Sequence, residues 1–445
     1  MLLSLVSFQM RSVVNLVYFG SDLFSLLHLR ALNETPRRDV LSRIVHVVTA
    51  SERTPVAAYC AKANLAYTIW PRPASNVVNE LIAKIDAIEP NERRNLAGLL
   101  VSFGRFLPPR LVSAFPRGCF NVHASLLPRW RGSSPIFHTL LVGDAVSGIT
   151  IVQIPQTEHR FDTGPVIYQQ PVQLPSELLT PTQLAIHLSE HSIQALDKLL
   201  GSLHLIDPTA AVAQHQLTTQ HGLLPLVANR PSEEIGQIDW SNQHAIEIAR
   251  LWHACAESSI QVRTIMSLSE NSVAEFRLRN APPCVVPCVD KAHVSETASD
   301  PALEEAASLL TNFPADLPAG TLVYLRTGRH RSHHLLPYCF VSCGWQQKQK
   351  SWLALSSFRV LWPGSTLYRP LSAIDFYNGY LSKLSSSRRL IVNCSTLPGA
   401  LIFRGFADLP NPYFPLPKPW LTCIDPVQLP LKCHDHSPIC DQNIS

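Results

Sequence analysis

Two hydrophobic rhythms alternate along the first half of the chain. Residues 13–19 form a short apolar run, rich in β-branched and aromatic side chains, that stops at Gly20. Ser21-Asp22 then caps a stretch whose apolar positions recur at helical spacing to about residue 32. The succession repeats, with a strand predicted over 44–48, helices over 55–64 and 77–88, and a strand over 99–103 ending at Gly104. Residues 118–123 read as a further strand, and a helix starts at Ser134-Pro135, where proline's missing N–H costs nothing. Strands over 148–154 and 165–174 follow, then a helix over 182–203 capped by Thr180. Apolar strands separated by helices predict an α/β domain whose parallel sheet is covered on both faces. Ligands of such sheets sit beyond the carboxyl ends of the strands.

Past residue 205 the rhythm fails. The weak periodicity, prolines and polar residues of 206–232 mark a linker, so the first domain is taken as 13–205. Ile238-Asp239-Trp240-Ser241 leads into a helix over 243–255, which opens a second domain over 233–385. Within it, 290–318 reads as a mobile acidic insertion, and 320–325, 338–343 and 352–355 as short strands of a small β-domain. Between 321 and 390 ten lysines and arginines, Arg326, Arg329 and Arg331 among them, stand against the single acid Asp375. A small basic barrel suits a phosphate backbone. Residues 386–445 are proline-rich and aperiodic, and are expected to be a disordered tail.

Composition refines this picture only slightly. A length of 445 residues fits two or three domains, and a hydrophobic fraction of 46% can fill their cores. A formal charge of +4 permits a polyanionic partner. The 11 cysteines are scattered and read as reduced thiols; neither Cys284/Cys288 nor Cys339/Cys343 has zinc-site spacing. No apolar run approaches the length of a transmembrane helix. Residues 1–12 are apolar, carry Arg11, and precede the first acid at Asp22, which suits either a minimal organelle presequence or a frayed start. The turn at Gly20 lacks the G-x-G-x-x-G pattern of a dinucleotide enzyme.

The candidate chemistry gathers at the strand over 118–123. Asn121 and His123 are two apart and so share one face. A polar loop after the next strand delivers Asp162 just before Gly164. Moving an acyl group between nitrogens needs such a set: an amide donor for a developing oxyanion, an imidazole to manage protons near neutrality, and a carboxylate to orient or accept. Which of His123 and Asp162 is the final base stays open.

The run Asn121-x-His123-x-Ser125-Leu126-Leu127-Pro128, then Arg131 and Pro135, Gly148-x-Thr150 and Asp162-x-Gly164, closely resembles the formyltetrahydrofolate-dependent formyltransferases. Ala124 departs from the Pro or Gly usual there. The resemblance implies a parallel-sheet formyltransferase domain followed by a smaller, oligonucleotide-fold-like β-barrel. It implies Asn121, His123 and Asp162 as catalytic residues and Ser125, Leu126, Leu127 and Pro128 as the cofactor-binding loop. It further implies 10-formyltetrahydrofolate as co-substrate without a metal, initiator methionyl-tRNA as partner, no membrane, and a monomer. The loop 103–108 resembles the segment that borders the pterin ring. The loop 49–55, with Arg53 and nearby Lys62, stands where relatives carry a longer basic insertion that grips tRNA. Leu371 to Leu381 resembles the end of the second domain in animal mitochondrial members, which implies the mitochondrial matrix. Two alternatives remain: a relative acting on a small-molecule amine or water, and a non-catalytic RNA-binding protein on the same fold.

Overall fold

Successive residues of β1 (Val14–Gly20) face opposite ways, and both directions are buried: Leu16 and Tyr18 join one hydrophobic cluster, Val17 and Phe19 another. That double burial sets β1 inside a sheet covered on both faces. The computed structural model describes residues 13–34, 41–71, 73–157, 160–203, 212–221, 225–269, 272–278, 281–286, 300–311, 313, 317–327, 334–346, 349–381 and 403–404. The other strands of the sheet are β2 (Leu41–Thr49), β3 (Tyr67–Ile69), β4 (Leu96–Val101), β5 (Cys119–His123), β6 (Val146–Gln153) and β7 (Val166–Gln173), in the order β3-β2-β1-β4-β5-β6-β7. Pairing is parallel from β3 to β5 and antiparallel for β5/β6 and β6/β7. The expectation of a parallel sheet is thus corrected at one edge. Among the described residues no helix separates β6 from β7, so the chain turns straight back there, whereas β5 and β6 pair antiparallel with α6 between them.

The helices are α1 (Leu23–Glu34), α2 (Pro55–Ala63), α3 (Ser75–Asp86), α4 (Pro90–Arg93), α5 (Pro109–Val112), α6 (Pro135–Val142) and α7 (Pro181–Ser202). Local sequence explains several boundaries. Thr54 caps α2 by accepting from Ala57 N, and α2 ends on Asn64 in the left-handed conformation. Thr180 and Gln183 form a reciprocal capping box at α7. The strand expected over 99–103 starts earlier and stops at Val101, because Ser102 turns out of it with φ 45°.

The rest of the described chain contains α8 (Gln214–His221), α9 (Ala245–Cys255) and two antiparallel sheets. One sheet holds β8 (Arg263–Ser269), β9 (Ser272–Arg277), β14 (Ser357–Leu361), β15 (Arg369–Ser372) and β16 (Phe403–Arg404). The other holds β10 (Cys284–Val285), β11 (Leu322–Thr327), β12 (His334–Gln346) and β13 (Gln349–Leu355). After β13 the chain passes through Ser356 into β14, and so from one sheet to the other. Side chains of both, such as Val341, Leu353, Phe276 and Phe358, belong to one buried cluster.

Part of the expected acidic insertion is α10 (Pro301–Leu310), capped by Asp300, which buries Leu303, Ala306, Ala307 and Leu310 at helical spacing. A short helix, α11 (Ala373–Phe376), follows β15. Within 386–445 only Phe403–Arg404 are described, paired with β8; the amino-terminal stretch 1–12 lies outside the described residues.

The two halves meet where α6 packs on α9. Gly143 ends α6 with φ 74°, and a Cβ there would come within 2.2 Å of the Arg250 guanidinium. Glycine lets Arg250 cross that end, where Nη1 donates to Val142 O at 3.2 Å and the cation meets the negative pole of the helix. Among the described residues no helix is long and apolar enough to cross a membrane.

Candidate active site

The carboxyl end of β5 carries Asn121 and His123 on one face, and the loop between β6 and β7 brings Asp162 to meet them. Asn121 Nδ2 donates to Asp162 Oδ1 at 2.8 Å, and Gly132 N donates to Asp162 Oδ2 at 3.2 Å. The His123 ring is buried, and its Nε2 lies 2.9 Å from Trp130 O. A carbonyl can only accept, so the neutral ring carries its proton on Nε2 and leaves the Nδ1 lone pair free. Nδ1 stands 3.7 Å from Asp162 Oδ1, too far for a direct hydrogen bond. Asp162 itself has φ 54°, a conformation unusual outside glycine.

Beneath this set lies the loop after β5. Ser125, Leu126, Leu127 and Pro128 are all buried. Ser125 Oγ donates to Arg129 O at 2.7 Å, Leu126 lies against Gly148, and Leu127 packs with Val152, Val166 and Leu217. These contacts fix the loop against β6, β7 and α8. Thr150 is the hub of the loop: its hydroxyl donates to Ser125 O at 2.6 Å and accepts from Leu127 N and Gln169 Nε2. Gly148 is glycine for a steric reason, since a Cβ would sit 2.3 Å from Gln170 O. The Leu127-Pro128 peptide is cis. Farther back, buried Arg129 pairs with both oxygens of Asp144, which also accepts from Trp130 Nε1 at 2.7 Å.

Phe106, from the loop 103–108, meets exposed Phe161 edge-on with ring centroids 5.8 Å apart, so an aromatic rim borders the polar cluster. In the same loop Gly104 has φ 65° and open space where a Cβ would point. At the loop 49–55, Arg53 and nearby Lys62 are exposed.

Gln214 was not singled out by the sequence, which placed it in the linker. Its side chain reaches the Asp162 loop, and no periodicity or motif marks it. The described cysteines are free thiols, with Cys60 pushed up to about 11 and Cys255 and Cys339 up to about 12 by burial. Among the described residues no three His, Cys, Asp or Glu side chains gather to hold a metal ion.

Residues 14–198 match the family model described as formyl transferase. The chain carries a formyltransferase domain. That domain holds Asn121, His123 and Asp162 together at the end of β5. Similarity to curated proteins runs beyond it. The mitochondrial methionyl-tRNA formyltransferase of Homo sapiens is 28% identical over 371 residues, 82% of this chain and 77% of that protein. The methionyl-tRNA formyltransferase of Granulibacter bethesdensis is 27% identical over 332 residues, 69% of this chain and 96% of its own. A solved phosphoribosylglycinamide formyltransferase from Bacillus halodurans aligns with 42% of this chain and 94% of its own, at 20% identity and a TM-score of 0.35, and adds nothing to the case.

Proposed function

We propose that this protein transfers the formyl group of 10-formyltetrahydrofolate to the α-amino group of methionyl-tRNA, in the mitochondrial matrix and as a monomer. The observation that carries this is the convergence of Asn121, His123 and Asp162 at one strand end, in a chain similar over 82% of its length to a mitochondrial protein of that activity. The donor supplies an activated formyl group, and the chain supplies the rest. One Asn121 N–H holds Asp162; the other is free to donate to the formyl oxygen as it gains charge. The His123 Nδ1 lone pair is available for the proton that the attacking amine must shed, and the protonated ring can return it to N10 of the folate as the formyl C–N10 bond breaks. Asp162 offsets the charge that then builds on the ring. The Phe106–Phe161 rim, with Phe161 exposed, and the open space at Gly104 suit the planar ring of a folate. In this reading the loop Ser125 to Pro128 borders the folate pocket, held in shape by its packing.

We read the two antiparallel sheets as the barrel-like, RNA-facing domain. Arg263 on β8, Arg277 on β9 and Arg359 on β14 stand directly opposite one another in the strand register, on the half-exposed face. Three guanidiniums in a row across a sheet repel, and a phosphate backbone is the partner that would offset this. The cations first expected to serve, Arg329 and Arg331 and the side chain of Arg326, lie outside the described residues.

The deciding experiment supplies 10-formyltetrahydrofolate with charged methionyl-tRNA, free methionine, a small amino sugar, or water alone. Formylation of the charged tRNA alone supports this reading. Turnover with a small acceptor or water in its place would move the protein to another branch of the family. RNA binding without any turnover would make it a silent relative.

A further inference from the structure

The segment joining the two halves of the chain reaches into the site. Gln214 opens α8 with its side chain 6% exposed. Its Nε2 donates to Asp162 O at 2.6 Å and to Gly164 O at 2.9 Å, while its Oε1 accepts from Arg131 Nη2 at 2.5 Å. These partners determine which end of the amide is which. Two carbonyls can only accept and a guanidinium can only donate, so a flipped amide would lose all three bonds.

What the amide grips is the strained turn that presents Asp162. A left-handed aspartate persists only where its surroundings hold it there. The carboxylate is held by Asn121 and Gly132, and the main chain on either side of Thr163 is held by the Gln214 amide. Arg131 is gripped from two sides. Its guanidinium meets Gln214, and its main chain pairs with the far end of the same joining segment, through Arg131 N to Leu226 O at 2.8 Å and Ala228 N to Arg131 O at 2.7 Å.

We propose that Gln214 is a positioning residue for formyl transfer: it fixes the Asp162 turn so that the carboxylate stays between Asn121 and His123. The proposal rests on the reading of the site given above. It makes the segment between the two domains part of the catalytic apparatus, so the second domain is tethered through residues that set the geometry of the first.

The test uses the full chain with Gln214→Glu and Gln214→Met. Gln214→Glu keeps the size and the partner of Arg131 but removes both donors and turns a carboxylate toward two carbonyl oxygens. Gln214→Met keeps the shape with no hydrogen bonds and stands in if the first variant folds poorly. Both kcat and KM are measured with methionyl-tRNA and 10-formyltetrahydrofolate, together with hydrogen exchange at the Gly132 amide, which donates to Asp162 Oδ2. The expected result is a fall in kcat of about 10- to 100-fold with both KM values within about twofold, since a displacement near 1 Å costs on that order. Gly132 exchange should rise about tenfold, because its acceptor is no longer fixed. A folded variant with near-normal kcat, a KM effect alone, or a fall in kcat with unchanged Gly132 exchange would each overturn the proposal. If the unaltered protein formylates nothing, the functional reading falls by itself, and Gly132 exchange still decides whether Gln214 holds Asp162.

Discussion

Asp162 uses its two oxygens for two different donors, the side chain of Asn121 and the main chain of Gly132. Asp162→Asn keeps the shape but can offer only one carbonyl oxygen, so its NH2 must face one of those donors. The charge opposite His123 is lost as well. We expect Asp162→Asn and His123→Ala each to lower kcat by roughly 100- to 10,000-fold, the range of a positioned acid–base group. Melting temperatures should change little, because Asp162 lies in a loop and His123 at the end of its strand. Near-normal turnover by folded His123→Ala would remove the imidazole from the mechanism. At this scale the sequence was legible where a local rule constrains a residue. Asn121 and His123 share a strand face by spacing alone, and Gly148 and Thr150 answer to sterics and to a three-way hydroxyl. Gln214 obeys no local rule. Its partners lie 50 and more residues away, and an isolated glutamine in an aperiodic stretch carries no trace of them.

Between elements, the seam of α1 and α7 carries a titratable group that senses acid. His28 is fully buried there; its Nδ1 lies 2.7 Å from Phe24 O and its Nε2 2.5 Å from Ser192 Oγ. Burial lowers its pKa from the usual 6.5 to about 4. The unfolded chain therefore takes up a proton below pH 6.5 that the folded chain refuses until about pH 4. Stability from this site is full above 6.5 and is lost as pH falls through that window, by about 2 kcal/mol between pH 7 and pH 5. Burial lowers His46 to about 4 as well, and shifts His138 and His253 in the same direction, so the whole protein should weaken in acid. His28→Leu should flatten the dependence of unfolding free energy on pH by about that 2 kcal/mol, whatever its effect at pH 7. Parallel curves for the two proteins would show that His28 titrates normally when folded. The elements of this seam were readable because α1 and the capped α7 carry their own start signals. Strand direction was not readable. Burial on both faces gives the same apolar run to a parallel strand and to antiparallel β6 or β7.

Across the whole molecule, the cluster at the end of β5 and the arginine row lie on different sheets, so substitutions can probe them separately. Sequence composition located the charge in the second half of the chain but could not align it, because strand register decides which arginines become neighbours. Arg263, Arg277 and Arg359 fall in one row; Arg277 Nε reaches Glu275 at 3.0 Å and its guanidinium covers the Tyr368 ring at 3.8 Å. Arg359 Nε is buried with no hydrogen-bond partner among the described residues. Like charges set directly opposite on a sheet destabilise it, so Arg359→Gln should leave the melting temperature unchanged or raise it slightly. If the row lies against tRNA phosphates, the same substitution should raise KM for methionyl-tRNA while KM for the folate stays constant. It should also flatten the plot of log KM against log salt by about 0.7 to 0.9, the slope carried by one released counterion contact. Adding Arg263→Gln should deepen both effects. The opposite pattern, a lower melting temperature with KM and salt slope unchanged, would mean that the guanidiniums hold the sheet together and that the tRNA is gripped elsewhere.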